Sequence, residues 1–300
     1  MLTLALDVGG TKLAAGLVDD SGALRHRAEL PTPRADAETI WAAAEMLLSD
    51  ALTAAGSTVD AVGIASAGPI DVPAGTVSPI NVAAWQDFPI VERVVHRTGA
   101  AVRLGGDGLC MALGERWRGA AVGARFLLGM VVSTGVGGGL VLDGAPYHGR
   151  TGNGGHVGHV VVEPEGALCT CGGHGCAETV AAGPWLARWA REHGWQAPPD
   201  ADARELADDA RRGDPIALQA FSRGADALAR MIASVGAVCD LDRVVIGGGV
   251  ARAGHLLFDP LRAALPRYAG LSFLHGLQVV PARLAGDAGL IGAAALGRFG

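Results

Sequence analysis

The sequence predicts an α/β fold. Short apolar runs alternate with alanine- and leucine-rich helical segments along the whole chain, and bursts of glycine close several of the apolar runs. No tandem repeat of solenoid period is present. At 300 residues and 50% hydrophobic, the chain can bury one large core or two moderate ones.

The first elements read as a strand meander. LTLALDVGG is apolar up to an acid and two glycines. LAAGLVDDSG gives a second strand with a turn at Asp20–Gly22, and ALRHRAELPT a third, more polar one. Asp36 to Ala55 is rich in helix formers. VDAVGIASAG is a buried strand running into a loop. A helix around Phe88–Thr98 has Pro89 at its start. AVRLGGDG is a strand ending on glycines and an acid, and a helix runs from Leu109 (LCMALGERWRG). FLLGMVVST and GGLVLDG are two strands before a cysteine-rich segment. Ala177 to Val238 is mostly helical, with a polar break near Gly194–Ala203. RVVIGGGVARAG reads as strand, glycine turn and helix start, and LQVVPA and DAGLIGAAALGRF as a last strand and a last helix.

Composition excludes several classes. The net charge is -6 and no basic run stands out, so nucleic acid is not an expected partner. Glycine or a charge interrupts every apolar run before membrane length, and no signal peptide is visible, so a cytoplasmic protein is expected. Five cysteines is an odd number, and three cluster at Cys169, Cys171 and Cys176. That pattern suits a reducing compartment and a metal site better than a disulfide framework. Cys110 and Cys239 are expected to be buried, inert thiols.

Four motifs carry chemistry. In LALDVGGTK a strand delivers Asp7, and the amides of Gly9, Gly10 and Thr11, with Lys12, can meet phosphate oxygens while Asp7 holds hydrated Mg²⁺. An ordinary hairpin turn has the same signature. STGVGGG contributes Ser133, Thr134, Gly135, Gly137 and Gly138 as a second such turn, a weak echo of the first that would suit a phosphate chain held between two lobes. IGGGV is a third turn, with Gly247, Gly248 and Gly249 near a nucleotide or simply closely packed. Asp107, at the end of AVRLGGDG, is placed either as a proton acceptor or as the N-cap of the next helix; spacing favours the cap.

Taken together these motifs resemble the ROK sugar kinases. The similarity lies in DVGGTK, GIASAGPID, NVAAW (Asn81–Trp85), GDG with the downstream LGE, STGVGGGLVLDG, GGHVGH, CTCGGHGCAET and DAGLIGAAALG, in the family's order across almost the whole chain. The resemblance implies an actin-like ATPase (ribonuclease H-like) fold: two α/β lobes with an active-site cleft between them. Residues 1–106 with a C-terminal helix at 287–300 would form the small lobe, and 107–286 the large lobe, with a zinc-binding loop at 156–178. It implies an ATP- and Mg²⁺-dependent hexose 6-kinase in which Asp107 is the catalytic base. Asn81, Gly106, His156, His159 and Glu178 would line the sugar site, and the three glycine turns would hold ATP. His159, Cys169, Cys171 and Cys176 match the family's structural zinc ligands, although His156 also precedes the cysteines. Family members are commonly homodimers or homotetramers.

Two positions depart from the family pattern. Gly106 stands where the family usually has an asparagine bonded to a sugar hydroxyl near carbon 3. His156 stands where a glutamate usually accepts bonds from the hydroxyls at carbons 1 and 2. A water beside Gly106, or a bond of opposite polarity from His156, would leave specificity unchanged. Otherwise the preferred sugar changes, from glucose toward a glucose modified at carbon 3 such as 3-amino-3-deoxyglucose. A catalytically silent sugar sensor is the alternative. A regulator of the same family would carry a helix-turn-helix before the core, and none is expected ahead of a strand starting at Leu2.

Overall fold

The structure is a computed structural model that describes residues 1–299; Gly300, the end of the expected 287–300 helix, lies outside the described residues. In chain order the elements are β1 (Leu2–Val8), β2 (Lys12–Asp19), β3 (Leu24–Pro31), α1 (Ala37–Ala55), β4 (Ala61–Ser66), β5 (Ile70–Asp71), β6 (Thr76–Val77), α2 (Ile90–Thr98), β7 (Ala101–Gly106) and α3 (Asp107–Arg118). There follow β8 (Leu127–Val132), β9 (Val136–Leu142), β10 (Ala145–Tyr147), α4 (Glu178–Ala181), α5 (Gly183–Glu192), α6 (Ala203–Arg211), α7 (Pro215–Cys239), β11 (Arg243–Gly247), α8 (His255–Ala264), β12 (Gln278–Pro281) and α9 (Ala288–Phe299).

The chain forms two compact units. Unit 1 contains Met1–Gly123, Gly139–Gly155 and the chain from Arg283 on; unit 2 contains Ala124–Gly138 and His156–Ala282. The sheet of unit 1 has the order β3-β2-β1-β4-β7. β1 is antiparallel to β2 and parallel to β4, and β4 is parallel to β7. Val8 pairs with Ser66, and Ser66 with Gly106, so the carboxyl ends of three parallel strands line up at one edge. Ligands of open α/β sheets bind at such an edge. The second sheet has the order β10-β9-β8-β11-β12, the same sequence of ranks, with β8, β11 and β12 parallel. β8, β11, β12 and the first residues of β9 belong to unit 2. The recurrence of one topology accounts for the echo between DVGGT and STGVGGG: each follows the first strand of its sheet.

Local chemistry sets the helix ends. Asp36 caps α1 by accepting a 2.9 Å bond from the Thr39 amide, and Gly56, at φ 63°, ends it. Pro89 stands at the N-cap of α2, one residue before the first helical one. Asp107 is not the N-cap of α3, as spacing suggested. Gly106 holds that place, with the extended backbone that finishes β7 (φ -65°, ψ 150°), and Asp107 is the first helical residue.

α3 lies within unit 1, whereas the expected division put residue 107 at the start of the large lobe. The reason is a glycine-mediated contact with α9. A side chain at Gly114 would meet the Ala288 carbonyl at 2.5 Å, and one at Gly292 the Cys110 carbonyl at 1.5 Å. On the sheet side, a Cβ on Gly63 of β4 would lie 1.7 Å from the Ala293 carbonyl. Backbones that touch this closely admit only glycine. Gly63→Ala is therefore expected to destabilise the protein by at least about 1–3 kcal/mol, read as a lowered urea midpoint; an unchanged midpoint would contradict this packing. Glu115, fully buried in α3, fastens the chain entering α9 by accepting bonds from the Arg283 and Leu284 amides at 2.9 and 2.8 Å.

Candidate functional site

Unit 1 carries two carboxylates at the carboxyl edge of its parallel strands. Asp7 comes from the penultimate position of β1, and Asp107 opens α3. Burial pushes the Asp7 pKa up to about 6, helped by the negative charge of Asp107, while Lys12 and Arg27 pull it down. Asp107 Oδ1 accepts the Gly108 amide at 2.7 Å, which fixes the side chain. The N-terminus of α9 closes on Asp7: a Cβ at Gly289 would lie 2.4 Å from its Oδ2. A half-buried carboxylate beside a second one is a donor set of hard oxygens that suits hydrated Mg²⁺.

The turn after β1 is held by its carbonyls. Thr32 donates from Oγ1 to the Gly9 carbonyl at 2.7 Å and from its amide to the Thr11 carbonyl at 3.1 Å. The Gly9 amide bonds the Lys12 carbonyl at 3.0 Å. The amides of Gly10 and Thr11 have no partner among the described residues, so they are available to an anion. Lys12 pairs with Glu29 at 3.2 Å. Asn81 abuts this turn, since a Cβ at Gly10 would lie 2.3 Å from the Asn81 Cβ. The Asn81 loop is anchored by Trp85 of NVAAW, fully buried, stacked on Phe88 at 4.2 Å and donating from Nε1 to the Ala37 carbonyl. Among the described residues, none apart from its chain neighbours has an atom within 4 Å of where a Gly106 Cβ would be.

Unit 2 brings the second and third glycine turns together. Gly248, at φ 95°, lies so close to the end of β8 that a Cβ would sit 2.3 Å from the Val132 carbonyl; one at Gly249 would meet Ser133 Oγ at 3.3 Å. The two turns close the parallel neighbours β8 and β11. Ser133 donates its amide to the Gly135 carbonyl at 2.8 Å, which curls the second turn, while Gly137 and Gly138 continue into β9.

The histidine- and cysteine-rich segment is fastened to that turn. Glu178, opening α4, accepts the Val136 amide at 2.8 Å, and a Cβ at Gly135 would touch its carboxylate. Donor atoms of His159, Cys169, Cys171 and Cys176 all lie within 4.8 Å of one another. Cys169 Sγ is 3.7 Å from His159 Nδ1, and Cys171 Sγ is 3.7 Å from Cys176 Sγ. A tetrahedral zinc with Zn–S bonds of about 2.3 Å separates its sulfurs by about 3.8 Å, so these residues fit zinc. His156 is outside this group; it is exposed, with its ring parallel to that of His159 and the centroids 6.4 Å apart. Cys110 is buried as expected, whereas Cys239 is only half-buried because it ends α7.

The ROK family profile matches residues 3–298. The chain belongs to the ROK family. It is 38% identical to a glucokinase of Thermotoga maritima, over 98% of this chain and 96% of that one. It is 37% identical to an N-acetylmannosamine kinase of Citrobacter koseri, over 99% and 98%. A crystal structure of a ROK glucokinase from Streptomyces griseus with glucose and AMPPNP superposes with a TM-score of 0.83, at 34% identity and full coverage of both chains. The architecture of this ROK protein is accordingly that of the actin-like ATPases. Among its described residues no helix is long and apolar enough to cross a membrane.

The motifs missed Gly289, which closes on Asp7, and Glu115, which fastens the chain entering α9. Both stood in quoted segments, DAGLIG and LGE, but neither carries a reactive group pointing at a substrate. The sequence signal for Gly289 was a glycine inside an otherwise apolar helix.

Proposed function

We propose that this ROK protein is an ATP-dependent kinase that phosphorylates the 6-hydroxyl of glucose or of a glucose modified at carbon 3, such as 3-amino-3-deoxyglucose. The observation that carries the reading is the pair Asp7 and Asp107 at one strand edge, beside a turn with open amides. Phosphoryl transfer asks little covalent chemistry of a protein; it asks for alignment and charge neutralisation. Asp107 would accept the proton of the attacking hydroxyl, and the amides of Gly10 and Thr11 would take phosphate oxygens. Asp7 would hold hydrated Mg²⁺, which when bound supplies positive charge to the polyphosphate. In unit 2, the turn at Ser133–Gly138 would meet phosphate and the Gly247–Gly249 turn the adenosine. His159, Cys169, Cys171 and Cys176 would hold a structural zinc, leaving no coordination position for chemistry. With Nδ1 at the cysteines, His159 keeps Nε2 for a sugar hydroxyl, and Glu178 and Asn81 would supply further contacts.

The choice of sugar rests on Gly106 and His156. Open space beside Gly106 admits a larger group at carbon 3, and an ammonium there would be drawn to Asp107. A histidine in place of a carboxylate removes the anion that would favour a 2-amino sugar. The test is ADP release with ATP and Mg²⁺ against glucose, mannose, fructose, glucosamine, N-acetylmannosamine and 3-amino-3-deoxyglucose, with Asp107→Asn as control. Turnover abolished in the control supports the kinase. Binding of sugar without turnover would favour a sensor. Gly106→Asn, which the ordinary backbone there tolerates, is expected to move preference toward glucose over the 3-amino sugar by about tenfold in kcat/KM. An unchanged ratio would remove Gly106 as the cause.

A further inference from the structure

We propose that Cys171 is an oxidant-sensitive thiolate, and that hydrogen peroxide links it to Cys176 in a disulfide and releases the zinc. The inference rests on the zinc reading above and concerns what those ligands do under oxidation.

The four ligands are unequally protected. Cys169 is 3% exposed and Cys176 2%, whereas Cys171 lies open to solvent. The residue above the two sulfurs is Gly173: a Cβ there would lie 3.5 Å from Cys171 Sγ and 3.9 Å from Cys176 Sγ. A side chain at that position would sit against both sulfurs, and the glycine leaves the exposed Cys171 Sγ without that neighbour. A peroxide molecule therefore meets Cys171 first and finds Cys176 Sγ 3.7 Å behind it. Exposure and thiolate character together select which cysteine oxidises.

The chemistry balances in two steps. The Cys171 thiolate attacks peroxide; an S–O bond forms, the O–O bond breaks, and hydroxide leaves. The Cys176 thiolate then attacks the sulfenic sulfur; the S–S bond forms, the S–O bond breaks, and a second hydroxide leaves. Two electrons pass from the two thiolates to peroxide, and two protons from solvent turn the hydroxides into water. Cys169 and His159 alone would no longer hold zinc. The segment that holds His159 and leads into Glu178 loses its clamp, so a kinase built on it would stop until a thiol reductant and zinc were restored.

The experiment begins with metal analysis of the purified protein. Absence of zinc overturns the zinc reading itself, which separates that failure from a failure of the switch. On zinc-loaded protein, peroxide is added with a chromogenic zinc chelator. The expected result is release of the bound zinc, an intact mass lower by two hydrogens, and a peptide map joining Cys171 to Cys176. Retention of zinc, or a link through Cys169, overturns the proposal. Gly173→Ala keeps every ligand, and its new methyl group makes only ordinary van der Waals contacts with the sulfurs. It is expected to fold, bind zinc and release it several-fold more slowly; an unchanged rate would overturn the access argument.

Discussion

Asp107→Asn is expected to lower kcat by about a hundred- to ten-thousandfold, the usual contribution of a positioned general base, with little change in the KM for sugar. Asparagine has the same shape, and its oxygen can still accept the Gly108 amide that now bonds Asp107 at 2.7 Å. The start of α3 therefore stays in place. What disappears is the ability to take a proton. The measurement is steady-state ADP release beside a thermal melt. A variant with a normal melt and near-normal kcat would show that the hydroxyl proton goes elsewhere, and the assignment of Asp107 would fall.

Asp7→Asn is expected to give a different pairing, a more stable protein that no longer turns over. The folded pKa of Asp7 is about 6, against an ordinary 3.8, chiefly because of burial. Between those values the native state holds more proton than the unfolded chain, so stability falls as pH rises through the window. The shift of about two units corresponds to about 3 kcal/mol lost once the pH is well above 6. Asparagine has no charge to desolvate, so in Mg²⁺-free buffer near neutrality the variant should gain about that amount in urea unfolding. The gain should shrink on acidification and vanish below the ordinary carboxylate pKa. Mg²⁺ should raise the stability of the parent protein and leave the variant unmoved. Equal stability of parent and variant at neutral pH would mean that Asp7 carries no stored electrostatic cost.

Much of this was legible in the sequence because the informative residues are local. The apolar run into DVGG fixes a strand and a tight turn together, and CTCGGHGC puts three thiols on one short loop. The helix formers of Asp36 to Ala55 match α1 at Ala37–Ala55. What stayed hidden depends on distant neighbours. Glycine at 63, 114 and 292 reads as a weak strand or helix former, and only the packing of α9 against β4 and α3 explains it. The same packing draws α3 into unit 1, which no feature of residues 107–118 announces. The cap of α3 is ambiguous in the sequence because Gly106 and Asp107 are both N-cap types, and only the extended backbone of Gly106 decides between them. The two-residue strands β5 and β6 and the three-residue β10 are too short to carry a period.

The return of α9 to unit 1 also orders the making of the protein. On the ribosome, the first hundred or so residues emerge as a sheet whose contact strip around Gly63 has no cover. The whole of unit 2 must be translated before the covering helix appears. The nascent chain thus carries an uncovered apolar strip for most of its synthesis, and its yield in a cell should depend on chaperone capacity more than its final stability would suggest.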